Sequence, residues 1–252
     1  MKKLAILIFL AMFSAGGCAQ KVQHYGYKVE QTLPHDITAY TQGLFFYKGE
    51  LYESAGQYGE SSMRKVDQAT GKVLRRENFD SKYFLEGSCV VKDKLYILTW
   101  QERVCFVYDV NTFKQLGQFP NRREGWGLTT DGTSLIMSDG TAQIYFLDPD
   151  SFMEKRSVTV RMEGKTVPYL NELEYIDGKI WANVYTTDMI LIINPEDGIV
   201  EGVVDCSSIL PRNLRTTRTD VFNGIAWNPA DNSIYVTGKY WPKMYKITLG
   251  KQ

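Results

Sequence analysis

Five residues open matched segments of this sequence: Gln42, Glu86, Trp126, Asn171 and Asn223. Glycine follows most of them, which suits close approach of one backbone to another. A second matched series holds Gly56, Trp100, Gly140, Tyr185 and Lys239. Tyr40 and Phe84 stand two residues before Gln42 and Glu86, so on a strand they share their face. Brought to one place, these residues make an aromatic box holding one carboxylate and one ammonium. Glu86 could then relay a proton: shielding by rings raises a carboxyl pKa towards working pH, while a neighbouring lysine lowers it. Lys239, or the amide of Asn171 or Gln42, could stabilise an oxyanion. Buried amides and charges are costly unless a ligand, water or one another satisfies them.

The elements that must position these residues follow from internal repetition. The openings recur roughly every 40 to 50 residues, the length of one propeller blade. Each leads to a turn: Lys48-Gly49, Lys92-Asp93, Asp131-Gly132, Asp177-Gly178 and Ala230-Asp231. A second β-rich run follows (LYES, LYIL, LIMS, IWAN, IYVT), then a third such as FVYD, IYFLD or LIIN. Fourth runs leave four of the repeats: KVLRR, KQLGQF, EKRSVTV and IVEGVV. Alternation bounded by turn residues predicts short antiparallel strands. The last repeat stops after its third run, MYKITL, while Tyr25 to Leu33 has strand character ahead of the first. The expectation is therefore all-β: a five-bladed β-propeller over residues 25–252, its ring closed by an N-terminal strand. Closure removes a sheet edge that would otherwise invite aggregation. First strands lie nearest the axis, so the first series surrounds one mouth, and the second points to the same end. Leu210 to Asp220 is the longest irregular stretch and is expected as a surface loop near the entrance.

Polar residues at a propeller axis commonly hold water or a structural ion, and strand aromatics commonly pack between blades. A carboxylate, a lysine and several aromatics at one mouth favour a site. A non-catalytic propeller binding peptides or glycans would use the same aromatics without needing Glu86. A metal-dependent hydrolase of the lactonase type would need several converging carboxylates, whereas the first series offers only Glu86 plus amides, with Glu172 one residue off register.

The bulk properties exclude other classes. The chain has 252 residues, 44% apolar and 13% aromatic, with 29 basic and 29 acidic side chains. No basic stripe stands out, which argues against nucleic acid as a partner. Lys2 and Lys3 precede an apolar run from Leu4 to Phe13, too short to span a bilayer as a mature helix. Small residues then lead to Cys18. Residues 1–17 read as a lipoprotein signal peptide, Cys18 as the lipidated residue, and 18–24 as a short tether. The alternative is a plain secretory peptide with an incidental cysteine. No Asp follows Cys18, which suggests an outer-membrane anchor facing the periplasm if the host is Gram-negative. A monomer is expected. Cys89, Cys105 and Cys206 follow no metal-ligand spacing and read as buried small apolar residues. An oxidising compartment would also permit a Cys89–Cys105 bridge. His24 and His35 are the two histidines, so a zinc-histidine site is not expected.

The same residues carry a family likeness. YTQGLFF, LYESAGQYGESSMRKVD, EGSC, LYILTWQE, EGWGLTTDG, MSDGT, YFLDP, LNELEYIDGKIWANVY, NGIAWNP and VTGKYWPKMY occur in that order across nearly the whole mature chain. In this combination the sequence resembles the plant- and bacterial-type glutaminyl-peptide cyclotransferases, which are five-bladed propellers. The resemblance implies conversion of N-terminal glutamine, on peptides or proteins, to pyroglutamate with release of ammonia. It implies Glu86 as the acid/base, with Lys239 and Asn171 at the reacting amide. Tyr40, Gln42, Phe84, Trp100, Trp126, Glu172 and Tyr185 would contact the substrate. No cofactor is required, and a calcium ion in the central channel is left open as a structural element. Two positions depart from the family's pattern: Tyr185 replaces the usual Trp, which bears on pocket width, and Leu85 replaces the usual Gly, which bears on the local backbone.

Overall fold

The computed structural model describes residues 21–251, so the apolar leader and Cys18 lie outside the described residues. The chain is almost entirely β. Strand β1 (Gln23–Pro34) comes first. A four-stranded unit follows in the order of the sequence: β2 (Thr41–Tyr47), β3 (Glu50–Ala55), β4 (Ser62–Val66) and β5 (Val73–Asn78). The next contains β6 (Leu85–Val91), β7 (Lys94–Thr99), β8 (Val104–Asp109) and β9 (Gln115–Pro120). A third contains β10 (Leu128–Thr130), β11 (Leu135–Ser138), β12 (Gln143–Leu147) and β13 (Glu154–Thr159). A small hairpin, β14 (Arg161–Met162) with β15 (Lys165–Thr166), stands apart and was not anticipated by the sequence reading. Then come β16 (Leu170–Ile176), β17 (Lys179–Val184), β18 (Met189–Ile193) and β19 (Val200–Asp205), and finally β20 (Phe222–Asn228), β21 (Ser233–Gly238) and β22 (Lys243–Lys251).

Strand β1 joins the last two groups into one eight-stranded sheet. It pairs antiparallel with β22, from Tyr25 opposite Lys251 to Pro34 opposite Lys243. Its first residues also pair in parallel with β19, with Gln23 opposite Gly202 and Tyr25 opposite Val204. The repeat pattern anticipates the first pairing but carries no sign of the second. The first strands are neighbours in turn: β2 beside β6, β6 beside β10, β10 beside β16, β16 beside β20, and β20 beside β2.

Burial explains this arrangement. Alternate residues of each strand face one neighbouring sheet or the other. Leu44, Leu51 and Val66 meet Ala226, Tyr235 and Met244 in one hydrophobic cluster. Phe45, Tyr52 and Met63 meet Leu85, Ile97 and Phe106 in another. The same holds around the molecule, each cluster bridging two consecutive units. A fully buried side chain of this kind contributes about 1.5–3 kcal/mol. Leu85 belongs to such a cluster and is fully buried, so its departure from the family pattern is absorbed by packing. Cys89, Cys105 and Cys206 are free and buried. They therefore act as small apolar residues, and the Cys89–Cys105 bridge does not form.

Near one end of four first strands the ladder slips. The slips fall at Thr41/Gly43, Leu85/Ser88, Leu170/Leu173 and Phe222/Ile225. Each encloses the residue that opens the repeat: Gln42, Glu86, Asn171 or Asn223. A bulge frees such a residue from pairing and re-aims its side chain. Trp126 reaches the same place by standing just ahead of β10. The backbones here approach closely. A Cβ on Gly127 would lie 2.0 Å from the Asn171 carbonyl oxygen, so no side chain fits.

Candidate active site

The two matched series converge. One cavity of about 190 Å³ is lined by Tyr40, Gln42, Phe84, Glu86, Trp100, Trp126, Asn171, Tyr185 and Lys239. That is below the roughly 300–1,000 Å³ typical of sites for drug-sized ligands, and fits a single side chain. Trp100, Tyr185 and Lys239 each lie just past the end of a second strand, held by backbone bonds. Trp100 N–H donates to the Phe84 carbonyl at 3.0 Å, Tyr185 N–H to Tyr169 at 2.9 Å, and Lys239 N–H to Val221 at 2.9 Å. Gly140 occupies the equivalent place in the third unit with φ +79, and a Cβ there would strike the Trp126 ring at 2.6 Å. Its absence gives that indole its place in the wall.

The walls are braced ring on ring. Phe84 packs edge-on against Tyr40 and Trp100, with centroids 5.9 and 5.6 Å apart. Trp126 meets Tyr185 edge-on at 5.6 Å. The Lys239 ammonium sits over the faces of Tyr40 and Tyr185, 4.6 and 5.2 Å from their centroids. Such faces stabilise a desolvated cation.

Glu86 is buried, and so is Lys239. Burial raises the Glu86 pKa well above the usual carboxylate range; Lys239 lowers it, and Glu124 and Glu102 raise it further. Burial likewise lowers the Lys239 pKa, against the attraction of Glu86 and Asp220. Among the described residues no hydrogen bond or ion pair engages the Glu86 carboxyl or the Lys239 ammonium, and both line the cavity. An unpartnered acid beside an unpartnered ammonium is costly in a folded core and useful in a site.

Asn223 is not part of the lining. It stands behind it, donating to the Thr41 carbonyl at 2.9 Å and to the Gln42 amide oxygen at 3.4 Å. Glu172, expected to contact substrate, is not brought into the cavity either. Its carboxylate reaches across the axis and accepts from the Leu44 and Ile225 backbone N–H groups, at 3.3 and 2.9 Å. The reason is register: Glu172 follows Asn171 on the strand and takes the position that glycine holds in the other units. The loop before β20 contains a short 3-10 helix, Arg212–Leu214, and does reach the entrance. Arg218 stacks on Tyr240 at 4.4 Å, and Tyr240 packs on Tyr40 at 5.1 Å.

The sequence reading missed the outer carboxylates. Glu124 accepts from the Trp100 and Trp126 indole N–H groups at 2.8 and 3.3 Å. Glu102 accepts from the Phe84 backbone N–H at 3.2 Å and from the exposed Tyr58 hydroxyl at 2.8 Å. The spacing that singled out Tyr40 and Phe84, two residues before a repeat opening, also points to Glu124, two before Trp126.

Fold and pocket together define an all-β, propeller-like protein whose cavity, of one side chain's size, holds a buried carboxyl and a buried lysine among aromatic rings. Comparison with known proteins narrows this class. The family model described as glutamine cyclotransferase matches residues 3–249. A glutaminyl-peptide cyclotransferase of Arabidopsis thaliana is 39% identical, over 97% of this chain and 80% of its own length. The crystal structure of Myxococcus xanthus glutaminyl cyclase superposes with a TM-score of 0.85 at 30% identity, covering 92% of this chain and all of that one. The WD40 β-propeller domain of Doa1, 12% identical, shares the fold with a TM-score of 0.50 over 81% of this chain and 62% of its own. The chain belongs to the glutamine cyclotransferase family.

Proposed function

We propose that this protein is a glutaminyl-peptide cyclotransferase, converting N-terminal glutamine of peptides and proteins to pyroglutamate with release of ammonia. The observation that carries the chemistry is the buried Glu86 carboxyl, unbonded and facing Lys239 inside the aromatic cavity. The substrate's α-amine attacks its own γ-carboxamide carbon. One N–C bond forms, closing a five-membered lactam, and the bond to the carboxamide nitrogen breaks. Nucleophile and electrophile belong to one molecule, so folding the side chain into a compact conformer supplies much of the rate. The small cavity favours that conformer. The amine must be neutral, and an α-amino group of pKa about 7.7–8.0 is readily so near neutral pH. Glu86 accepts the proton that the attacking amine loses and delivers one to the departing nitrogen, which leaves as ammonia. A carboxyl whose pKa burial raises above the usual carboxylate range suits both transfers. Lys239 and the Asn171 amide hold the developing oxyanion.

Around this site we read the four-stranded units as five blades, with β1 as the outer strand of the last blade closing the ring. Support comes from the neighbour relation of β20 with β2 and from the β1–β22 ladder. We further propose a lipid-anchored, periplasm-facing monomer, held by Cys18 and a tether of few residues. The sequence from Lys2 to Cys18 supports this.

The test is ammonia release from a short peptide with N-terminal Gln, for wild type and Glu86→Gln, with and without chelator. Wild type should release ammonia regardless of chelator, and the variant should be slower by at least about a hundredfold, as for loss of general acid–base catalysis. No release by a folded wild type would overturn the assignment and leave a peptide-binding propeller as the better reading.

A further inference from the structure

Beyond the residues that line the cavity, one carboxylate ties two of its walls together. We infer that Glu124 is a positioning residue for the glutamine pocket, holding Trp100 and Trp126 in their ligand-ready orientation. The inference rests on the cyclotransferase reading for its substrate but on geometry for its mechanism. The two indoles come from different units: Trp100 follows β7, whereas Trp126 precedes β10. Neither is locked by complete burial, since both rings border open cavity. A single oxygen, Glu124 Oε2, receives both indole N–H groups. An indole N–H has one donor direction, so each bond fixes the rotation of its ring. Bonds to an ionised acceptor are also stronger than neutral ones. Two planar walls facing a cavity of one side chain's size are thereby set relative to each other.

The same carboxylate acts on Glu86 through space. The titratable groups around Glu86 are Lys239, Glu102, Glu124, Tyr40 and Tyr58, on the loops and strands that enclose it. Glu124 is one of two negative charges that favour its protonated form. Removing that charge while keeping the acceptor separates the two effects.

The experiment compares wild type, Glu124→Ala and Glu124→Gln on an N-terminal Gln peptide, across pH. Alanine removes both bonds and should raise KM about tenfold, the change expected for one hydrogen bond to a charged group, with a smaller change in kcat. Glutamine keeps an acceptor oxygen and should restore KM to within about threefold of wild type. It removes the charge, so the pH limb assigned to Glu86 should move to lower pH. A readout independent of turnover is the indole N–H region of a nitrogen-15 NMR spectrum, where the chain's five tryptophans report. Two of those signals should shift upfield in Glu124→Ala while the other three stay. A wild-type KM for Glu124→Ala, or indole signals that do not move, would overturn the inference. So would equal defects in the alanine and glutamine variants. Should the alanine variant fail to fold, the pH profile and indole signals of the isosteric glutamine variant decide the question. An inactive wild type whose indole signals respond as expected would sink the cyclotransferase reading and leave the positioning role standing.

Discussion

Inside the cavity Glu86 and Lys239 each shift the other's proton affinity, while their surroundings resist both charges. Burial favours neutral Glu86, and the Lys239 ammonium opposes that. Replacing Lys239 with Met removes the opposition, so the Glu86 pKa should rise further. Glu86 must be ionised to take the attacking amine's proton, so activity falls as pH drops below that pKa. The acid limb of the kcat profile should therefore lie at higher pH in Lys239→Met. Loss of an oxyanion partner should also lower kcat about a hundredfold. An unchanged limb would separate Lys239 from Glu86 and leave it a purely structural cation. The sequence showed this pair because strand registers are regular: counting in twos from Glu86, and matching the ends of second strands, leads to Phe84, Trp100 and Lys239. Glu172 was misread because its neighbour Asn171 faces the cavity, while the bulge sends the next side chain across the axis to backbone amides.

At the scale of elements, the turn from β1 into β2 contains a second charged constellation, joined to the cavity wall through Thr41, which stands between Tyr40 and Gln42. The His35 side chain is buried; its Nδ1 lies 2.7 Å from the Trp241 carbonyl oxygen and its Nε2 2.8 Å from Glu53 Oε1. Both partners are acceptors, so both ring nitrogens must carry protons. Burial acts to lower the His35 pKa, but Glu53, the Trp241 carbonyl and Asp36 together raise it above the ordinary value. Arg64 and Thr41 complete the surroundings of Glu53. A pKa higher in the folded than in the unfolded chain stabilises fully below the unfolded value near 6.5. That contribution is lost as pH rises through the folded value. The melting temperature should therefore decline as pH rises above about 6.5, and His35→Gln should be less stable at about pH 6 yet flatter with pH. Thermal melts from pH 6 to 10 check this; parallel curves for the two proteins would refute it. No local pattern announced this cluster, because His35, Glu53 and Trp241 meet only once the first and last units pack.

For the whole molecule the decisive element is β1. Among the described residues it is the one strand that pairs with two units, parallel to β19 and antiparallel to β22. Deleting residues 21–33 would leave both as open edges, each a template for another chain. The truncated protein should elute from size-exclusion chromatography as aggregates and lose its single sharp thermal transition. A monomeric, cooperatively melting truncation would mean that the strand is an ornament. The antiparallel pairing could be inferred from a last repeat one strand short. The parallel pairing could not, since it joins segments that the repeat pattern treats as unrelated.

The position of β1 also orders events in time. Among the described strands β1 comes first and its antiparallel partner β22 last, and Thr248 bonds to Glu30 at a sequence separation of 218. Residues 243–251 must therefore be made before this seam can form. Until then every nascent chain carries an unsealed joint. Forming this pairing is slowed by the long loop it must close. The two ends of the described chain thus share one fate: neither has its full pairing in the sheet until the other has arrived.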